Sequence, residues 1–318
     1  MNINTKKIKK KIKPFFTKKI SLWLVLVLIL QISTITALVE YYIVKKNFND
    51  SIAALSKTTK NPEEFVQILK QQVLPQKGYT LAVRWDDIGL QLMKTGVIDK
   101  TKYEELFSGD TEAIKQMKYL SNSSKDNMEM NESNAHFMVN TLWAVGLVNK
   151  SKVLDEGPMK TEGDGSFMNY ASTGGWELGA RPTEELYSSQ ELIKLTPAQE
   201  DLVKKIADNI YRPCCGNSTA FPDCNHGMAA LGYIELAVKQ GISDERIYKD
   251  LLALNSFWFP QNYIELAVFL QQEGTSWDKI DSRLALSSQY SSAQGAEQVR
   301  QGIQNLPGLN IQGGGCGA

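Results

Sequence analysis

The sequence predicts a mainly α-helical domain carried behind one N-terminal membrane-spanning helix. Three observations predict it. Ile20–Val39 (ISLWLVLVLILQISTITALV) is an uninterrupted, mostly apolar run. Segments beyond residue 196 begin with capping residues and stop at glycines. The hexapeptide YIELAV occurs at 233–238 and again at 263–268, thirty positions apart. The chain has 318 residues, 42% hydrophobic and 22% charged, a globular composition with room for a core that needs no covalent staple.

The zero net charge hides a split. Residues 1–46 hold ten lysines and one acid, Glu40, which leaves 25 basic against 34 acidic residues beyond them, a net −9. Such an acidic body repels phosphate backbones, so nucleic acid is excluded as a partner. Residues 1–19 read as a basic cytoplasmic segment and 20–44 as an uncleaved transmembrane signal anchor. Twenty residues at a rise of about 1.5 Å match a bilayer core. Trp23, Tyr41 and Tyr42 sit at interface positions, and the preceding lysines keep the N-terminus cytoplasmic and place the rest outside the cell membrane. A cleaved signal peptide would export the same domain.

Residues 45–156 form a first helical region. Asn61-Pro62-Glu63-Glu64 opens a helix that Gln76-Lys77-Gly78 breaks. Within 83–94, Trp85, Ile88 and Leu92 fall on one helical face. The polar stretch 121–134 reads as an exposed loop, with Met128 and Met130 as a weak copper(I) pair. His136 opens an apolar helix, where capping or packing is its simpler role. The pieces RWDDIGLQLMKTGVID and TLWAVGLVNKSKVLDEG share a Trp followed by Gly, a faint duplication.

Residues 157–195 are a Gly-rich connection whose Tyr170 and Trp176 suit plugging a groove or lining the mouth of a site. In 196–284, Thr196 caps a helix running to about Tyr211, and another runs from Asp223 to Gln240 and stops at Gly241. Ser243 caps a third, and a fourth from Pro260 stops at Gly274. The YIELAV pair makes this part a helical-hairpin repeat whose surface suits a protein partner. Residues 285–318 read as a flexible Gly/Ser/Gln-rich tail ending in GGGCGA.

Chemistry concentrates in Tyr211–Met228, YRPCCGNSTAFPDCNHGM, with three of the four cysteines and one of two histidines. Pro213 and Gly216 bracket the vicinal pair Cys214 and Cys215 in a turn. Asp223 as N-cap would put Cys224 at the first helical position and His226 at the third, where the helix dipole favours a thiolate. Asn217-Ser218-Thr219 fits a glycosylation acceptor but reads as turn chemistry.

Three readings stay open. Cys214, Cys215, Cys224 and His226, with Cys316 arriving on its tether, suit a thiophilic ion such as zinc or copper, although the spacing is not that of a zinc finger and adjacent cysteines seldom share one ion comfortably. Met228 is a further donor. Alternatively Cys224, helped by His226, exchanges disulfides with a mobile Cys316. Or the cysteines form inert disulfides in a helical interaction module. No nucleotide loop, Ser-His-Asp set or carboxylate pair is present, so the sequence does not decide whether the chain is an enzyme.

The segments Ser172–Trp176 (STGGW), Arg212–Met228, Asn255–Pro260 (NSFWFP) and Gly313–Gly317 resemble the signature of a group of prokaryotic membrane-anchored proteins with a glycine-rich, Cys-terminated tail. The resemblance covers roughly the C-terminal half and implies no activity.

Overall fold

The computed structural model describes residues 22–56, 62–161 and 166–303 and is mainly helical. Helix α1 (Leu22–Ser56) is continuous. Its stretch Val25–Ile43 is long and apolar enough to cross a membrane, and none of it is buried against the rest of the chain. Water is a poor solvent for such a surface.

Helix α2 (Pro62–Val73) starts at the expected proline, with Glu63 and Glu64 in its first turn; Asn61 lies outside the described residues. Two strands then depart from the all-helical expectation. Strand β1 (Tyr79–Asp86) covers the start of the expected 83–94 helix, and helix α3 (Ile88–Thr95) takes over only after it. Leu81, Val83 and Trp85 alternate inward, a period of two that outweighs the helical spacing of Trp85, Ile88 and Leu92. Strand β2 (Ser124–Met130) pairs with β1 antiparallel, Tyr79 opposite Met130 and Asp86 opposite Ser124. The expected exposed loop is therefore a strand. Met128 and Met130 are fully buried core residues. The faint duplication does not extend to structure: one copy runs from strand into helix, whereas the other is the end of a helix closing at Val148, an isolated bridge at Asn149 and a short helical turn at Lys152–Asp155.

Helix α4 (Lys100–Leu106) is capped by Asp99, which accepts from the amides of Thr101 and Lys102. Helix α5 (Ala135–Val148) is buried along nearly its whole length. At its start, His136 packs edge-on against Phe107 at 5.0 Å, and burial lowers its pKa.

Helix α6 (Pro197–Ala207) has the expected Thr196 cap, completed by Gln199 into a capping box. It ends four residues short of Tyr211. That frees Tyr211–Asp223 to form an irregular loop ahead of helix α7 (Asn225–Lys239). Helices α8 (Asp244–Trp258) and α9 (Pro260–Gln272) complete the hairpins.

The core axis is the α5–α7 pair. A Cβ on Gly146 would stand 2.2 Å from Met228 O, and one on Gly232 would stand 2.4 Å from Leu142 O. Two glycines thus let the backbones touch. Asp250 on α8, fully buried, ties the sheet to this pair. It accepts from Tyr79 Oη (2.9 Å), the Ala82 amide (2.8 Å), Arg246 Nε (2.8 Å) and Tyr233 Oη. Such multiple donation is what makes a buried carboxylate tolerable.

The Gly-rich connection is anchored by its aromatics. Trp176 is buried, donates to Val97 O (2.9 Å) and meets Trp143 edge-on. It plugs the core rather than lining a mouth. Residues 285–303 are not the expected loose tail: Ser288–Ser291 and helix α10 (Ala293–Gly302) are helical, and Ser291, Ala296 and Val299 are buried. Low hydrophobicity there hides the small-residue contacts that seat them. Residues 304–318, with Cys316, lie outside the described residues.

Candidate metal centre

The loop Tyr211–Asp223 is held from three directions. Tyr211 N donates to Leu286 O, and Tyr211 O accepts from Asn255 Nδ2. Ala293 N donates to Cys215 O at 2.9 Å. Ser172 N, from the STGGW segment, donates to Asp223 O at 3.1 Å, while Tyr170 packs edge-on against Phe221. Those tethers fold the paired thiols back onto the start of α7.

The helix begins one residue later than expected. Cys224, not Asp223, is its N-cap, with extended backbone and a sulfur that accepts from the Gly227 amide at 3.3 Å. His226 is accordingly the second helical residue rather than the third. Asp223 is committed elsewhere: Oδ1 takes Arg212 and Oδ2 takes Asn217 Nδ2 at 2.7 Å. This is the turn role read for Asn217.

Three sulfurs converge. Cys214 Sγ lies 3.3 Å from Cys224 Sγ, Cys215 Sγ lies 3.8 Å from it, and the vicinal pair is 3.9 Å apart. All three residues are half-buried with free thiols. Donor atoms of Cys214, Cys224 and His226 lie within 4.8 Å of one another, as do those of Cys215, Asp223 and Cys224. The His226 ring is buried between Phe259 (4.4 Å) and Trp258 (5.7 Å), and its Nδ1 has no hydrogen-bond partner. A ring nitrogen left so is costly unless something binds it. Met228 is fully buried and belongs to the core.

Arg212, which the sequence reading did not single out, completes the centre. Its guanidinium is buried and donates to Cys224 Sγ (Nε, 3.1 Å), Asn217 O (2.8 Å), Phe221 O (3.1 Å) and Asp223. Burial alone would lower its pKa, but the sulfurs of Cys224 and Cys215 and the Asp223 carboxylate raise it instead. Gly227 makes room, since a Cβ there would sit 2.5 Å from Arg212 Cζ. A glycine three residues into a helix was the available signal.

The polarity of the triangle follows. Hydrogen bonds from Cys214 and Cys215, helped by Arg212, hold the Cys224 thiol well below its ordinary range against the opposing effect of burial. Cys214 is pushed up by its hydrogen bonds to the other two sulfurs and by burial. At Cys215, donation from Cys214 works downward, but the bond to Cys224 and burial leave it at about 12. Of the three thiols, Cys224 is the one most readily deprotonated.

The chain matches no family model, no curated protein and no solved structure. The resemblance seen in the motifs therefore rests on those residues, and the chemistry rests on this geometry. The cluster offers enough soft donors, close enough together, to hold one metal ion.

Proposed function

We propose that the protein is a membrane-anchored, extracytoplasmic binder of a thiophilic metal ion, with Cys214, Cys215, Cys224 and His226 as ligands. The observation that carries this is the sulfur triangle, with edges of 3.3, 3.8 and 3.9 Å. Three thiolates about 2.3 Å from a tetrahedral zinc ion lie about 3.8 Å apart. The fourth position falls to His226, whose nitrogen lacks another partner, rather than to Asp223, whose two oxygens are both engaged. Adjacent cysteines can share the ion here because the turn at Pro213 and Gly216 points both sulfurs at the helix start. Three thiolates, a neutral imidazole and a divalent ion leave one net negative charge, which lies beside the buried Arg212–Asp223 ion pair. Monovalent copper would leave two, so zinc(II) fits better than copper(I). The apolar α1, the lysine-rich segment before it and the acidic body behind it support a tethered, exported domain.

The test is metal analysis of the full chain purified anaerobically in detergent, with free-thiol counting. One zinc ion per chain is expected, with stoichiometric binding lost in Cys224→Ala. Arg212→Met, which removes an outer-shell donor, should weaken affinity about 10–100-fold. A metal-free wild-type chain with all thiols reduced would sink the proposal. So would cysteines locked in stable disulfides.

A further inference from the structure

The sulfur triangle is not symmetric, and the asymmetry bears on how the metal is released. We infer that Cys224 is the site at which small disulfides attack this centre, and that Cys214 closes the resulting bond, so that a Cys214–Cys224 disulfide expels the ion and leaves Cys215 a free thiol. The inference rests on the metal reading above and adds its regulation.

Geometry selects the pair. Cys214 and Cys224 are the closest sulfurs, 3.3 Å against 3.8 Å for Cys215 and Cys224. A disulfide needs about 2.05 Å, so a small side-chain rotation closes the first. Cys214 and Cys215 are 3.9 Å apart, and joining them would close an eight-membered ring around a peptide bond that resists leaving the trans plane. Geometry also selects the order of events. Cys224 Sγ accepts from Arg212 Nε at 3.1 Å and from the Gly227 amide at 3.3 Å, donors that support a thiolate on that sulfur.

The chemistry balances. The Cys224 thiolate attacks one sulfur of R–S–S–R, whose S–S bond breaks and releases R–S⁻. Cys214, a thiolate while it holds the ion, then attacks the Cys224 sulfur of the mixed disulfide, a second R–S⁻ leaves, and solvent protonates both released thiolates. Two cysteine sulfurs are oxidised by two electrons and the small disulfide is reduced to two thiols. The ion loses two of its ligands. Outside the cytoplasm small disulfides are an ordinary oxidant class.

The experiment uses the full chain in detergent, loaded with zinc and exposed to oxidised glutathione. Zinc release is followed with a chromogenic chelator, and cysteine linkage is mapped by alkylation and peptide mass. One zinc released per Cys214–Cys224 disulfide is expected, with Cys215 alkylated and dithiothreitol reversing both. Cys214→Ala should stop at a glutathione adduct on Cys224, and Cys215→Ser should still form the Cys214–Cys224 link. A Cys215–Cys224 link, a link to Cys316, or zinc retained after the disulfide has formed would each overturn the inference while leaving the metal reading intact. If reduced wild-type chain binds no zinc, the metal reading alone fails, and the same map on metal-free chain decides the pairing.

Discussion

Helices α7 and α9 carry the same six residues, YIELAV, and use them differently. In both, the Ile, Leu, Ala and Val side chains are buried. Both stop alike, at Gly241 and Gly274 with φ of 72° and 84°, where the following amide reaches back to Ala237 O or Leu270 O. The polar members diverge. Tyr233 donates to buried Asp250, whereas Tyr263 shares hydrogen bonds with Ser291 and Asn255. Glu235 is fully buried with one Asn149 partner, whereas Glu265, also buried, accepts from Gln261 on its own helix and from Arg300 on α10. Repeated sequence therefore fixes which face packs, while neighbours from elsewhere decide what the polar groups do. Only α7, with a glycine before its YIELAV, is pressed backbone to backbone on another helix, and only α7 carries the thiol centre at its start.

The sharpest way to break the comparison is to give α7 the residue that α9 has in that place. Gly232→Asn puts a side chain 2.4 Å from Leu142 O and 2.7 Å from Gly146 N, both backbone atoms that cannot swing aside. A loss of about 3 kcal/mol is expected in chemical denaturation of the full chain. The midpoint should fall without a change in slope. A loss under about 1 kcal/mol would mean the two backbones do not touch.

The next effect separates the two glutamates by pH. Burial holds the Glu235 carboxyl well above its ordinary range, against the opposing hydrogen bond from Asn149. Its other oxygen has no partner. A carboxyl with a raised folded pKa binds more protons folded than unfolded. Wild-type stability is therefore full below the unfolded value of about 4.3 and is lost as pH rises through the range up to the folded value. Glu235→Gln removes that loss, so the variant should gain on wild type by up to about 1.4 kcal/mol per pH unit above pH ~4.3. Glu265→Gln should change stability by less than about 1 kcal/mol, since its Arg300 partner is half-exposed. Parallel stability–pH curves for Glu235→Gln and wild type would refute the buried neutral acid.

What was legible in the sequence was local. The Thr196 cap, the glycine stops and the crowding of Cys214, Cys215, Cys224 and His226 are each written in one short stretch of chain. What was missed depends on distant partners. Trp85, Ile88 and Leu92 satisfy a helical period, and only the sheet shows that Leu81, Val83 and Trp85 alternate instead. In SKDNMEM just Met128 and Met130 are buried, too few apolar groups to mark a strand. Arg212 looks like any loop cation until Gly227 lets it lie against the helix. The register error at Cys224 has the same origin: Asp223 is the better cap in isolation, but Arg212 and Asn217 claim both of its oxygens, and the thiol caps instead.

The smallest effect runs the exchange in reverse. Asn262 is half-buried in the first turn of α9. Asn262→Gly should cost only the added freedom of the unfolded chain and the weaker helix propensity of glycine, about 0.5 kcal/mol. Set beside the roughly sixfold larger loss expected for Gly232→Asn, this tests whether steric clearance is what distinguishes the copies. If Asn262→Gly cost as much as Gly232→Asn, the asparagine side chain would be supporting α9, and the difference between the copies would lie in polar contacts at both positions. A small loss at 262 and a large one at 232 leave backbone approach to α5 as the cause, and that approach is also what sets where the start of α7 presents Cys224 and His226.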